Sequence, residues 1–135
     1  MPRLLAIDYG AKRTGIAVSD PLQIIASALE TVPSNTLIDY LKKYIQSEPV
    51  EAFIVGMPKN LDGSETDGTA YVKRLLEELK TNFPTIPVHL QDERFTSKMA
   101  VQTMIAGGMK KKDRQIKGNV DKISAVIILQ GFMGI

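Results

Sequence analysis

The feature that most constrains this chain is its opening run, LLAIDYGAKRTGIAVSD from Leu4 to Asp20. Leu4 to Ile7 is an unbroken apolar stretch, the pattern of a strand buried on both faces, and Asp8-Tyr9-Gly10 follows where such a strand leaves the core. Lys12 and Arg13 come next, and Thr14 to Ser19 reads as a second strand, so one acid and two cations share a tight turn. An acid directly after an apolar strand is costly unless it is paired, solvated or bound to metal. A carboxylate in that place can hold a metal ion, and the cations beside it suit chemistry on phosphate esters.

A chain of 135 residues is long enough to bury one substantial core, and a single domain over residues 1–135 is expected. Its 44% hydrophobic and 24% charged residues favour neither disorder nor a membrane class. No stretch approaches a transmembrane span, and the first strand begins without the basic, apolar and cleavage regions of a secretory signal, so a cytoplasmic location is expected. With no cysteine there is neither a disulfide framework nor a thiolate ligand or nucleophile. Any metal must then be held by oxygen or by His89. A formal charge of +2 does not by itself point to nucleic acid, but its distribution does. The segment GGMKKKDRQIKG, from Gly107 to Gly118, holds Lys110, Lys111, Lys112, Arg114 and Lys117 against the single acid Asp113. Positive potential is thereby concentrated in one expected loop, which suits a polyanion.

The remaining pattern is three strands followed by alternating helix and strand. Gln23 to Val32 reads as the third strand, joined by a short Asp20-Pro21 turn. A helix starting at Pro33-Ser34-Asn35 presents Leu37, Ile38, Leu41, Tyr44 and Ile45, and Ala52 to Val55 is a short buried strand. After the Lys59 to Gly63 loop, with Ser64 as N-cap, a helix carries Tyr71, Val72, Leu75, Leu76 and Leu79 on one stripe. Val88 to Gln91 makes a fifth strand with Asp92-Glu93-Arg94 at its end. Thr96 or Ser97 caps a helix that stops at Gly107-Gly108, and Asn119 to Phe132 is a helix apolar almost all round, with Asp121 in its first turn. This order implies an α/β sheet, part antiparallel and part parallel, with helices on both faces.

The runs DYGAKRTGIAVSD, GMPKNLDGSE, DERFTSKMA and DKISAVIILQ closely resemble, in order and spacing, the successive motifs of the YqgF family, also called RuvX. That family is similar to RuvC-type Holliday junction resolvases and shares the RNase H-like fold. The resemblance covers nearly the whole chain. It implies an RNase H-like five-stranded mixed sheet ordered 3-2-1-4-5 and a metal-dependent nuclease. The expected role is maturation of the 5′ end of pre-16S ribosomal RNA, in ribosome biogenesis, with resolution of Holliday junctions as the alternative. Residue by residue, the family's acids fall on Asp8, Glu93 and Asp121. Where members commonly carry two alanines after the last acid, this chain has Ser124-Ala125.

Phosphodiester hydrolysis requires an activated water, a stabilised leaving oxygen and neutralised phosphate charge, which two divalent ions about 3.5–4 Å apart can supply. Carboxylates suit Mg²⁺ or Mn²⁺, so Asp8, Glu93 and Asp121 are the expected metal ligands and catalytic residues. Each has a plain alternative: Asp121 favours the helix dipole in a first turn, and Glu93 can pair with Arg94 or Lys98 on the surface. In a 3-2-1-4-5 sheet, strand five lies two spacings from strand one, about 9–10 Å, so Glu93 must reach back. Asp62, Glu65 or Asp67 after strand four is the alternative ligand, although these residues also read as turn and capping chemistry, as does Asp20 before Pro21. Lys12, Arg13, Arg94 and the basic segment (Lys110, Lys111, Lys112, Arg114, Lys117) are the expected phosphate contacts, with Tyr9 as the nearest aromatic for a base. His89 reads as a strand surface residue.

The partner expected is structured RNA or branched DNA, bound by a monomer or homodimer without a membrane. Two rivals stand beside this reading. Asp8-Tyr9-Gly10 with Thr14-Gly15 also resembles the first phosphate loop of actin-like and sugar kinase ATPases, but those bind nucleotide between two domains and this chain has room for one. The other is a nucleic-acid-binding module without catalysis, against which the three acids argue.

Overall fold

Alternation along the first strand decides how the molecule is layered. In the computed structural model, which describes residues 2–57, 67–92 and 117–134, β1 runs Arg3–Tyr9 and pairs antiparallel with β2 (Arg13–Ser19). Successive side chains of a strand point to opposite faces, so Leu5 and Ile7 enter one core and Leu4 and Ala6 the other. A strand buried on both faces must be central, and β1 is. β3 (Ala26–Pro33) pairs antiparallel with β2, while β4 (Val50–Met57) runs parallel to β1 and β5 (Val88–Asp92) parallel to β4. The order β3-β2-β1-β4-β5 is the one expected.

On the first face, Leu5, Ile7, Ile16, Val18, Phe53 and Val55 pack against two helices. α1 (Leu37–Ser47), entered through a 3-10 turn at Ser34–Thr36, contributes Leu37 and Leu41. α2 (Asp67–Asn82) contributes Val72, Leu75 and Leu79. Tyr71, expected on that stripe, is exposed instead, with the Arg74 guanidinium 5.2 Å from its ring centre. Each fully buried large apolar side chain on this face contributes about 1.5–3 kcal/mol.

The second face is different in kind. Its sheet side presents Ala6, Ala17 and Ala52 with Leu4 and Ile54, and α3 (Lys117–Met133) covers it with Ala125, Ile128 and Leu129. Small residues on both partners let the helix backbone lie close to the sheet. Although α3 is apolar nearly all round, among its described side chains only those of this stripe are fully buried, with Ile123, Val126 and Ile127 half-buried. α3 crosses β3, β2 and β1 and brings its C-terminal end over β5, where Phe132 lies 5.1 Å from the exposed His89 ring. His89 is thus a strand surface residue, as expected.

Two of the boundaries that differ from the sequence reading have a clear local cause. The third strand begins at Ala26 rather than Gln23, because the Asp20 carboxylate accepts the Ile24 and Ile25 amides at 2.7 and 2.8 Å and diverts them from the ladder. Gln23 there adopts a left-handed backbone, φ 59°. Those two hydrogen bonds confirm Asp20 as a turn residue and hold its carboxyl below the usual carboxylate range. The last helix begins at Lys117, not Asn119. Gly118 and Asn119 look like a boundary in sequence, yet they cost little in a first turn, whose amides need no intrahelical partner. Lys117 therefore belongs to the helix rather than to the basic loop, and Asp121 is the fifth helical residue rather than part of the first turn.

Ser124, on the packed stripe, has an Oγ that is buried with no hydrogen-bond partner. An unpaired buried hydroxyl costs about 1–3 kcal/mol. Ser124→Ala is accordingly expected to raise stability by about 1 kcal/mol, read as a higher urea midpoint at unchanged slope.

Candidate active site

Asp8 lies inside β1, one residue before its end, so the strand extends past the apolar run that identified it. Alternation places it on the face of Leu4 and Ala6, the one that α3 covers. Its partner in β2 is Gly15. On the other side the β1–β4 register runs through Ile7↔Val55, so Gly56 comes next, and Gly56 pairs with Gln91 of β5. The half-buried carboxylate thus stands between two glycines, neither of which projects a side chain beside it. At the far end of the same row, a Cβ on Gly131 of α3 would come within 2.9 Å of Gln91 Nε2, so helix and row are in tight contact there.

Asp121 belongs to α3, four residues before Ala125 and seven before Ile128, two residues of the packed stripe. Its place beyond the first turn weakens the plain alternative, because the dipole's influence falls off within that turn. The Asp121 side chain is not among the described ones. Glu93, Arg94, Lys110, Lys111, Lys112 and Arg114 lie outside the described residues, as do Asp62 and Glu65, while Asp67 opens α2. β5 ends at Asp92, two strands from β1 and so about 9–10 Å away. Among the described residues, no three of His, Cys, Asp and Glu gather as metal ligands.

The cations follow directly. Lys12 and Arg13 are exposed, and alternation along β2 puts Arg13 on the side of Gly15 and Ala17, the Asp8 face. Their turn is closed by the Gly10 amide donating to the Arg13 carbonyl at 3.0 Å. It is tied to the chain after β3 by the Ser34 amide, which donates to the Lys12 carbonyl at 2.9 Å, and by the Ser34 hydroxyl, which donates to the Gly10 carbonyl. Thr14 Oγ1 lies 2.8 Å from Ser34 Oγ, buried. Sequence reasoning missed this pair. Ser34 read only as a helix start, and the one available signal was Thr14, a hydroxyl next to an otherwise apolar strand.

Tyr9 does not stand beside Asp8. As the next residue in β1 it points to the opposite face, half-buried against the first core, and burial followed by the nearby Glu78 raises its phenol pKa, with Arg74 opposing. The odd–even alternation that brings Asp8 to one face necessarily sends Tyr9 to the other.

The family model described as "RuvX: Holliday junction resolvase" matches residues 2–134. The chain belongs to the RuvX family. A "Putative pre-16S rRNA nuclease" from Phocaeicola vulgatus is 53% identical over 98% of this chain and 96% of the relative. A protein of the same name from Flavobacterium johnsoniae is 51% identical, with the same coverage. Among solved structures, Thermus thermophilus RuvC in complex with a Holliday junction substrate aligns with a TM-score of 0.56 at 16% identity, over 99% of this chain and 97% of that one. The fowlpox virus resolvase, also bound to a Holliday junction, aligns at 0.59 and 10% identity, over 98% and 97%. At such identities these two show the fold, and the fold is the RNase H-like one expected.

In this RuvX-family chain the turn after Asp8 admits no side chain at its first residue. A Cβ on Gly10 would lie 2.6 Å from the Arg13 carbonyl oxygen, a backbone atom that the closing hydrogen bond holds in place. Gly10→Ala is expected to open the turn and to cost about 1–3 kcal/mol, the usual range for overpacking, measured by denaturant unfolding.

Proposed function

We propose that this RuvX-family nuclease is a metal-dependent endonuclease that hydrolyses phosphodiester bonds at the 5′ end of pre-16S ribosomal RNA. The observation that carries this reading is Asp8: a half-buried carboxylate at the carboxyl end of the central strand, on the face covered by the helix that contains Asp121. Open α/β sheets place their sites at that end of their strands.

The donor set fits a hard divalent cation. The chain has no cysteine, His89 is turned to the α3 C-terminus, and Asp8 offers carboxylate oxygen in a row whose flanking residues are glycines. Oxygen ligands select Mg²⁺ or Mn²⁺. Asp8, Glu93 and Asp121 would hold the metal, and bound divalent ions would activate water and neutralise phosphate charge. The chain's own part is to fix these acids on separate elements and to present cations to the phosphates on either side of the scissile bond. Lys12 and Arg13 do so from the turn, Arg94 from beyond β5, and Lys110, Lys111, Lys112, Arg114 and Lys117 from the basic segment and the start of α3. Contacts of this kind position a nucleic acid without reading its sequence.

RNA is favoured over branched DNA by the size of the likeness. The relatives at 51–53% identity carry the ribosomal RNA name, whereas the junction-bound resolvases are 10–16% identical and support the fold alone. Resolution of Holliday junctions is the second reading, favoured by the description of the family model.

Two measurements test the proposal. Wild-type protein with Mg²⁺ or Mn²⁺ is expected to cleave a pre-16S RNA fragment and to leave a four-way DNA junction intact, and chelation is expected to abolish cleavage. Asp8→Asn, which removes charge with little change of shape, is expected to lower the rate more than about 100-fold, beyond the loss typical of residues that merely support a metal ligand. Joint replacement of Lys110, Lys111 and Lys112 by alanine is expected to weaken RNA binding and to flatten its log–log salt dependence by up to about 2, at about 0.7 per lost contact on a single strand.

A further inference from the structure

Two buried hydroxyls meet beside the turn that follows Asp8. Thr14 is fully buried and Ser34 is 7% exposed. A serine has one hydroxyl proton, and that of Ser34 is donated to the Gly10 carbonyl, so Thr14 must be the donor in the 2.8 Å contact between them. The relay Thr14 to Ser34 to Gly10 therefore has one direction. With the Ser34 amide on the Lys12 carbonyl and the Gly10 amide on the Arg13 carbonyl, it fixes three carbonyls of a turn whose side chains at Lys12 and Arg13 remain exposed.

A surface turn needs no such anchorage to be stable, because its carbonyls can bond to water. Anchorage does matter for what the turn carries. Cations on a fixed backbone meet a phosphate without first being ordered, and less interaction energy is lost on binding. We propose that Ser34, through Thr14, is a positioning residue that holds Lys12 and Arg13 for the backbone phosphates next to the bond cut at Asp8. The proposal rests on the nuclease reading for the identity of the ligand, an RNA strand, and extends it to residues outside the acid set.

The test is a double-mutant cycle on binding, run without divalent metal so that cleavage plays no part. The probe is a fluorescein-labelled RNA that spans the 5′ precursor junction of 16S RNA, followed by anisotropy at several salt concentrations. Ser34→Ala is expected to weaken binding roughly tenfold, mid-range for coupled groups, and to reduce the salt slope. Thr14→Val, which removes the donor while keeping the shape, is expected to do the same. In a Lys12→Ala/Arg13→Ala background either change is expected to have no further effect. Ser34→Thr, which keeps the hydroxyl, is expected to bind as wild type does. Equal weakening in both backgrounds would show a structural role and overturn the proposal, as would unchanged binding by folded Ser34→Ala and Thr14→Val or absence of RNA binding by wild type. A coupled cycle in a protein that cleaves no RNA in Mg²⁺ would remove the nuclease reading alone, while cleavage without coupling would remove the positioning role alone.

Discussion

The close seating of α3 on the alanine-lined face of the sheet is the constraint on which the rest of the site depends. Ala6, Ala17 and Ala52 present little more than a methyl group each to Ala125, Ile128 and Leu129. An aspartate reaches only one methylene from its backbone, so a strand-borne and a helix-borne aspartate can share an ion only where the two backbones run near one another. The opposite face, packed through Phe53, Leu5, Ile7 and Ile16, holds its helices off with large side chains and supplies stability instead. One sheet thus separates two tasks by the size of the residues on its two sides.

The two ends of the sheet are built with equal economy. At the Asp8 end, glycines at 15 and 56 clear the row, and the turn that follows is pinned through Ser34. At the other end, the Arg3 guanidinium reaches the Ser19 carbonyl at 3.1 Å and Glu48 at 3.2 Å, Ser19 Oγ accepts the Leu4 amide at 2.9 Å, and Asp20 organises the turn into β3. The carboxylate of Asp20 is satisfied by backbone amides, which is what a structural acid requires. Asp8 lies instead in a row flanked by Gly15 and Gly56.

Much of this was legible in the sequence because apolar runs and their breaks carry it. The run before Asp8 marks a central strand, three strands before the first helix mark the antiparallel half, and the resemblance supplied an order that the hydrogen-bond ladders repeat. The misreadings share a physical cause. Gln23 to Ile25 have strand composition, but a side-chain carboxylate competed for their amides. Gly118 and Asn119 have turn composition, but a first helical turn makes no demand that they fail to meet. Tyr9 is the nearest aromatic along the chain for a base, and alternation puts it on the other side of the sheet from Asp8. The Thr14–Ser34 pair joins residues twenty apart, and no local pattern announces a contact of that kind.

The separation of β5 from β1 sharpens the roles proposed for the acids. An acid from beyond β5 starts about 9–10 Å from the central strand and must cross the row occupied by Gly56. The glycine there removes the obstacle that any other residue on that face would pose. The helix that carries Asp121 lies over the alanine layer itself. Asp8 is held in the β1–β2 ladder, and α3 is packed against the sheet through Ala125, Ile128 and Leu129. In the site we propose, Asp8 and Asp121 would therefore hold the metal between strand and helix, with Glu93 reaching it across the position of Gly56.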